Sequence, residues 1–255
     1  MRILSRSLII LALLFVTTAA PLHQAQAAVP TSGLLGHWKF DEGSGTTAAD
    51  SSGNNYTGTL TNGPTWTTGA VGNSVTLDGT NDYVSLGTTL DVSALPFTLS
   101  AWVNPANFND WSTIIGKRTT YSASGMRFNL DLKPTTGTVI LQSAASGISF
   151  SYAPPFNTWT HLTVVARSGA TDLYVNGVLT QTLGGFTLGT GATSQLRIGN
   201  VPDGPDQFAG KIDEVTIHNR ALSAGEVASL AQTTTPPTDT TAPTVPTSLT
   251  ATTVS

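Results

Sequence analysis

Apolar and polar residues alternate with a period of two along most of this chain. In "MRFNLDLK", Met126, Phe128, Leu130 and Leu132 take one side, and Arg127, Asn129, Asp131 and Lys133 take the other. "FTLSAWVN" groups Phe97, Leu99, Ala101 and Val103 in the same way. Successive side chains of a strand point to opposite faces, so this period predicts half-buried strands. "WTHLTVVAR" and "LYVNGVLTQTL" read as a hairpin arm and its partner, with Asn176-Gly177 as the tight turn. Gly, Asn, Asp and Thr close nearly every run. "SAGEVASLAQ" departs from the pattern: Ser223 and Glu226 have the spacing of a capping box and predict a short helix. Many short strands, no strand-helix alternation and one terminal helical turn predict an all-β antiparallel sandwich.

The two ends read differently. Residues 1–27 have the form of a secretory signal peptide: Arg2 and Arg6, then the apolar run Leu8–Val16, then the small-x-small site Ala25-Gln26-Ala27. The run is shorter than the ~20 residues that span a bilayer. The expectation is export to the extracellular space or cell surface, with no membrane association once the signal is removed. Residues 232–255 are dominated by Thr and Pro and predict an extended linker. Within it, "TAPTVPTSLTATTVS" resembles the first strand of a bacterial fibronectin type III module. Residues 28–231 then form one domain, and its partners include further modules of the same polypeptide.

Composition narrows the chemistry. The absence of cysteine excludes disulfides and thiol catalysis. Only 10% of the residues are charged, with 15 acidic against 11 basic. Losing Arg2 and Arg6 with the signal makes the balance more acidic, which disfavours nucleic acid and anionic lipid as partners. Neutral polysaccharides are untouched by that argument.

Against this background, two adjacent carboxylates in "GKIDEVTI" stand out. Neighbours on a regular strand face opposite ways, so Asp213 and Glu214 are not expected to converge on one substrate atom. A retaining glycosidase needs carboxyl groups about 5–5.5 Å apart on one side, which on a strand means positions i and i+2. Lys211, Val215, Ile212 and Thr216 occupy those positions, and none is acidic. His37 and His161 lie in apolar strands without a nucleophile-elbow motif. No catalytic residue is therefore predicted.

A metal reading starts from "AADSSGNNYTG", where Asp50, Ser51, Ser52, Asn54 and Asn55 share one loop. Calcium takes about six to eight hard oxygens, and an EF-hand is excluded because the loop's Gly is misplaced. Asp213 is the natural partner from the last strand because it shares a face with Val215 and Ile217, and a buried carboxylate there needs a cation or donors. Calcium held by Asp50, Asn55 and Asp213 is the expectation; the alternative is that the loop residues only satisfy turn backbone groups. For sugar binding, Trp38, Trp102 and Trp159 read as core, whereas Trp66 and Trp111 lie in loop-like segments. Trp111, with Tyr121, Arg127, Asn129 and Asp131, is the expected lining of a glycan groove, and packing under loops is the alternative.

Four stretches together, "GLLGHWKFDEGSGTTAADSSGNNYTGTL", "FTLSAWVNP", "WTHLTVVARSGATDLYVNGVL" and "GKIDEVTIHNRALSAGEV", resemble the laminin-G-like, concanavalin A-like jelly-roll family. The resemblance implies a two-sheet jelly roll found in exported multidomain proteins. Its members often serve as glycan-binding or adhesive modules, and some carry calcium. Catalytic relatives look like Glu-x-Asp-x-x-Glu on one strand, a pattern that "GKIDEVTI" lacks. The leading expectation is a non-catalytic carbohydrate-binding or adhesion module. A structural spacer or protein-interaction domain comes second, and a glycoside hydrolase third.

Overall fold

The computed structural model describes residues 28–106, 111–120 and 125–232. The expected signal peptide and the Thr/Pro segment from residue 233 onward lie outside them. Among the described residues the strands are, in chain order, β1 (Leu34–Trp38), β2 (Thr47–Ala48), β3 (Gly58–Thr61), β4 (Thr65–Thr68), β5 (Asn73–Asp78), β6 (Tyr83–Ser85), β7 (Phe97–Pro105) and β8 (Ser112–Arg118). There follow β9 (Met126–Lys133), β10 (Thr138–Gln142), β11 (Gly147–Phe150), β12 (Thr160–Ala166), β13 (Thr171–Val175), β14 (Val178–Leu183), β15 (Leu196–Ile198) and β16 (Ala209–His218). The α-helix α1 (Ala224–Leu230) closes the domain.

The strands form two antiparallel sheets. The first runs β14-β13-β12-β7-β16-β5-β4, with β1 also on β16; the second runs β11-β10-β9-β8-β15-β6-β3-β2. The apolar sides predicted by the period-2 pattern meet between them. Leu99, Ala101 and Val103 from β7 and Phe128, Leu130 and Leu132 from β9 belong to one buried cluster. The antiparallel jelly-roll sandwich is thus the observed fold.

Local signals hold as well. Asn176 and Gly177 have φ of 49° and 79°, the left-handed pair a two-residue hairpin turn requires. The Ser223 side chain accepts from the Glu226 N–H, and Glu226 reaches back to the Ser223 backbone, completing the capping box. α1 packs on the outside of the first sheet, where Leu222, Val227 and Leu230 meet Val165 and Tyr174.

Several expectations change. Trp66 lies in β4 and packs against the core, and Trp159 is half-buried outside the core cluster. Trp102 is buried, but it lies outside the inter-sheet core, beside His161 with ring centroids 5.1 Å apart. The polar side of β9 is not solvent-facing: Asn129 and Asp131 are 0% and 1% exposed. Alternation identifies the face of a side chain; loops laid over that face decide whether water reaches it.

β16 is the seam of the first sheet. Its first half, Ala209–Ile212, pairs with β5, and its second half pairs with β1 from Val215 onward. At the change of partner the register against β7 slips: Asp213 pairs with Trp102 and Thr216 with Ser100, so Glu214 and Val215 oppose the single residue Ala101. Glu214 has φ 48°, a β-bulge with its extra residue in the left-handed region.

Candidate functional site

The bulge overturns the expectation that Asp213 and Glu214 face opposite ways. Ile212, Val215 and Ile217 all enter the core, so the two residues between Ile212 and Val215 share the outer face. Asp213 accordingly does not lie with Val215 and Ile217. Each carboxylate serves one of the two strands that meet at the seam. Asp213 Oδ2 accepts from the Val71 N–H at 3.0 Å, in the turn joining β4 to β5. Gly69 makes room for it: a Cβ there would lie 2.5 Å from Oδ2. Glu214 Oε2 lies 2.5 Å from His37 Nε2 of β1. Asp213 and Glu214 are 0% and 6% exposed. Burial, assisted by the Glu214 charge, pushes the Asp213 carboxyl up to about 8 against its backbone donors. Each of the two carboxylates is thus engaged with a neighbouring segment of the first sheet.

The three expected calcium ligands are not brought together. Asp50 Oδ1 accepts from the His37 and Ser52 N–H groups, and Oδ2 from the Tyr56 N–H and the Ser52 hydroxyl, at 2.8–3.0 Å. A carboxylate offers about four lone-pair sites, and these bonds occupy them. Burial opposes its charge, but the same donors outweigh burial and hold the Asp50 carboxyl below its ordinary range. Asn55 occupies the left-handed region at φ 62° and is exposed in the turn. Among the described residues, no group of three or more His, Asp or Glu has metal-binding geometry. The loop's carboxylate ties β1 to the turn, as the turn-backbone alternative anticipates.

Of the five expected glycan-groove residues, Trp111 alone lines the cleft described below, and Asn129 and Asp131 are buried. Trp111 stands at the entrance to β8, and Asn129 and Asp131 project from β9 on the outer side of the second sheet. Tyr121 lies outside the described residues. Arg127 points elsewhere: its guanidinium donates to the carbonyls of Val92, Ser93 and Gly189 at 2.6–3.0 Å and pairs with Asp91.

Around Trp111 the sequence reading missed the central charges. Arg118, 1% exposed, ends β8. Its Nε donates to Asp203 Oδ1 at 2.7 Å, and its Nη1 to Asp206 Oδ2 at 2.9 Å. With the Asn129 amide oxygen turned toward it, Nη1 also donates there at 3.2 Å. The "DGPD" loop can fold onto the guanidinium because Gly204 has no side chain; a Cβ would lie 2.7 Å from Arg118 Nη2. The Asp206 carbonyl accepts from the Thr113 N–H at 3.4 Å, anchoring the loop to β8. Beneath, Asp131 accepts from the Thr113 hydroxyl and the Gln142 amide, both at 2.7 Å. Burial pushes the Asp131 carboxyl up to about 7, opposed by those two donors. Burial also raises Asp206, opposed by Arg118.

The result is a cleft of about 150 Å³ lined by Trp111, Arg118, Asp203, Gly204, Pro205 and Asp206. Lys133 Nζ sits 4.6 Å from the Trp111 ring centroid. An aromatic wall beside hydrogen-bonding carboxylates is an arrangement that can hold a polyhydroxylated ligand: ring C–H surfaces pack on the indole, and hydroxyls donate to the acids. The one sequence signal for it was "PDGPD", two acids around a Gly-Pro turn, with Arg118 an isolated guanidinium at the end of an apolar strand.

The chain was compared with known proteins. The profile described as the concanavalin A-like lectin/glucanases superfamily matches residues 78–228. No curated protein matches. Among solved structures, domain 4 of AbnA, a GH43 extracellular arabinanase from Geobacillus stearothermophilus in complex with arabinotriose, is 26% identical at a TM-score of 0.63. The match covers 79% of this chain and 99% of that one. The binding domain of Paraclostridial Mosquitocidal Protein 1 is 17% identical at a TM-score of 0.59, with 78% of this chain and 52% of that one covered. The botulinum neurotoxin serotype D binding domain is 18% identical at 0.58, with 79% and 52% covered. This chain therefore spans about half the length of those two binding domains, and at these identities they share its fold.

Proposed function

Since the chain belongs to the concanavalin A-like lectin/glucanases superfamily, we propose that it is a non-catalytic carbohydrate-binding module, exported and joined to other modules, that holds a polysaccharide on the outer face of its second sheet. The observation that carries this reading is the cleft walled by Trp111 and by the Asp203–Arg118–Asp206 cluster. The similar arabinanase domain, captured with arabinotriose, supports a short stretch of sugar as the ligand. The burial of Asp213 and Glu214 supports a binding role, because a hydrolytic carboxylate pair must reach its substrate. No helix among the described residues is long and apolar enough to cross a membrane. The test is affinity electrophoresis of the full chain in gels containing arabinan, xylan or β-glucan. Retardation in at least one gel that Trp111→Ala abolishes is expected; migration unchanged in every gel would leave the spacer reading.

A further inference from the structure

We infer that the cleft selects uncharged glycans and turns away uronate-bearing ones, because its cation is already spent. The inference rests on the glycan reading above. A carboxylate sugar is recognised by a guanidinium or ammonium with unused donors. Arg118 is the cation of the cleft lining, and it is committed to Asp203, Asp206 and Asn129. Any uronate entering would meet two aspartates whose side chains are 24% and 10% exposed. Like charges repel most where protein displaces water. The hydroxyls of a neutral sugar are donors, and they find acceptors in the same two carboxylates. Lys133 is not part of the cleft lining; its ammonium is engaged by the face of the Trp111 ring. Gly204 and Pro205 complete the lining without charge. Specificity here comes from a repulsive element as much as from an attractive one.

The experiment uses the full chain in gels of equal polymer content at low salt: arabinan, xylan and β-glucan as neutral polymers, and polygalacturonate as the charged one. Wild type should be retarded by a neutral polymer and at least about tenfold more weakly by polygalacturonate, as expected for like charges juxtaposed in a site. Asp206→Asn leaves Arg118 with one acidic partner and should bring retardation by polygalacturonate that added salt removes. Should Asp206→Asn melt early, the more exposed Asp203→Asn serves the same purpose, with a thermal melt showing that it is folded. Wild type held by polygalacturonate and by no neutral polymer would overturn this inference while leaving glycan binding intact. Folded variants that gain no hold on polygalacturonate would overturn the role given to Arg118. Wild type held by none of the polymers would remove the glycan reading, and this inference with it.

Discussion

Glu214 reaches His37 across 177 positions of sequence, Oε2 to Nε2 at 2.5 Å, and so fastens the first strand to the last. Both residues are buried. Glu214→Ala leaves His37 Nε2 without this acceptor and is expected to cost about 1–3 kcal/mol, the penalty for stranding a buried polar group. Denaturant melts of the variant check this. Loss of stability with unchanged glycan affinity is the expected pattern, and an unchanged midpoint would remove the seam from the structural account.

The ionisable groups buried in the two sheets predict a particular stability profile with pH. Burial lowers His161 to about 3 and His218 to about 4. The unfolded chain therefore binds more protons at these two sites below about 6.5, and their contribution falls as the medium acidifies. Asp131 and Asp213 do the reverse. Their folded values of about 7 and about 8 lie above the unfolded ones, so their contribution is full at low pH and is lost as pH rises. Between about pH 4 and 6.5 the two pairs offset each other; from about 6.5 to 8 only the acids act, and stability should decline. Asp213→Asn, which keeps a neutral side chain in place, should flatten the upper part of that decline. Melting temperatures across pH 5 to about 8.5 for both proteins decide the point.

Trp111 supplies the apolar wall of the cleft from a partly exposed position. Trp111→Ala should weaken binding by tenfold or more, about 1.4 kcal/mol at least, as for aromatic anchors at other interfaces. The melting temperature should move little, because this side chain is outside the core cluster. Titration calorimetry beside a thermal melt separates the two effects.

Asp50 gathers four donors, one from His37 of β1 and three from Ser52 and Tyr56 of its own loop. Asp50→Ala should cost about 2–3 kcal/mol through the loss of bonds to a charged acceptor. Because those donors already fill the carboxylate, melting in calcium and in chelator should coincide. A rise in melting temperature with calcium that Asp50→Ala eliminates would restore the metal reading.

How far the sequence led depends on what each signal encodes. Phe97, Leu99, Phe128 and Leu130 announced their strands because alternation is a local property, and the Asn176-Gly177 turn and the Ser223–Glu226 cap are local too. The face of Asp213 was not legible. It depends on a bulge created where β16 exchanges β5 for β1, a fact about the whole sheet. Trp111 was foreseen in the cleft, but Arg118, Asp203 and Asp206 were not, because 85 residues separate Arg118 from Asp203 and no motif joins them. Arg127 had the right strand face and the wrong destination: the carbonyls of Val92, Ser93 and Gly189 claim it.

Those carbonyls have a counterpart. Lys117 Nζ donates to the Thr88 and Leu90 carbonyls at 3.0 and 2.6 Å, so the stretch from Thr88 to Ser93 is wrapped around the ends of two side chains. The oxygens converge as they would around an ion, yet the charge they surround is covalently part of the chain. A fastening of this kind cannot be leached by a scavenging ligand, reduced by a thiol or exchanged for a competing ion. It is inherited with each copy of the polypeptide and is complete when the chain has folded. For a chain without cysteine, it fastens this loop with neither a disulfide nor a metal ion.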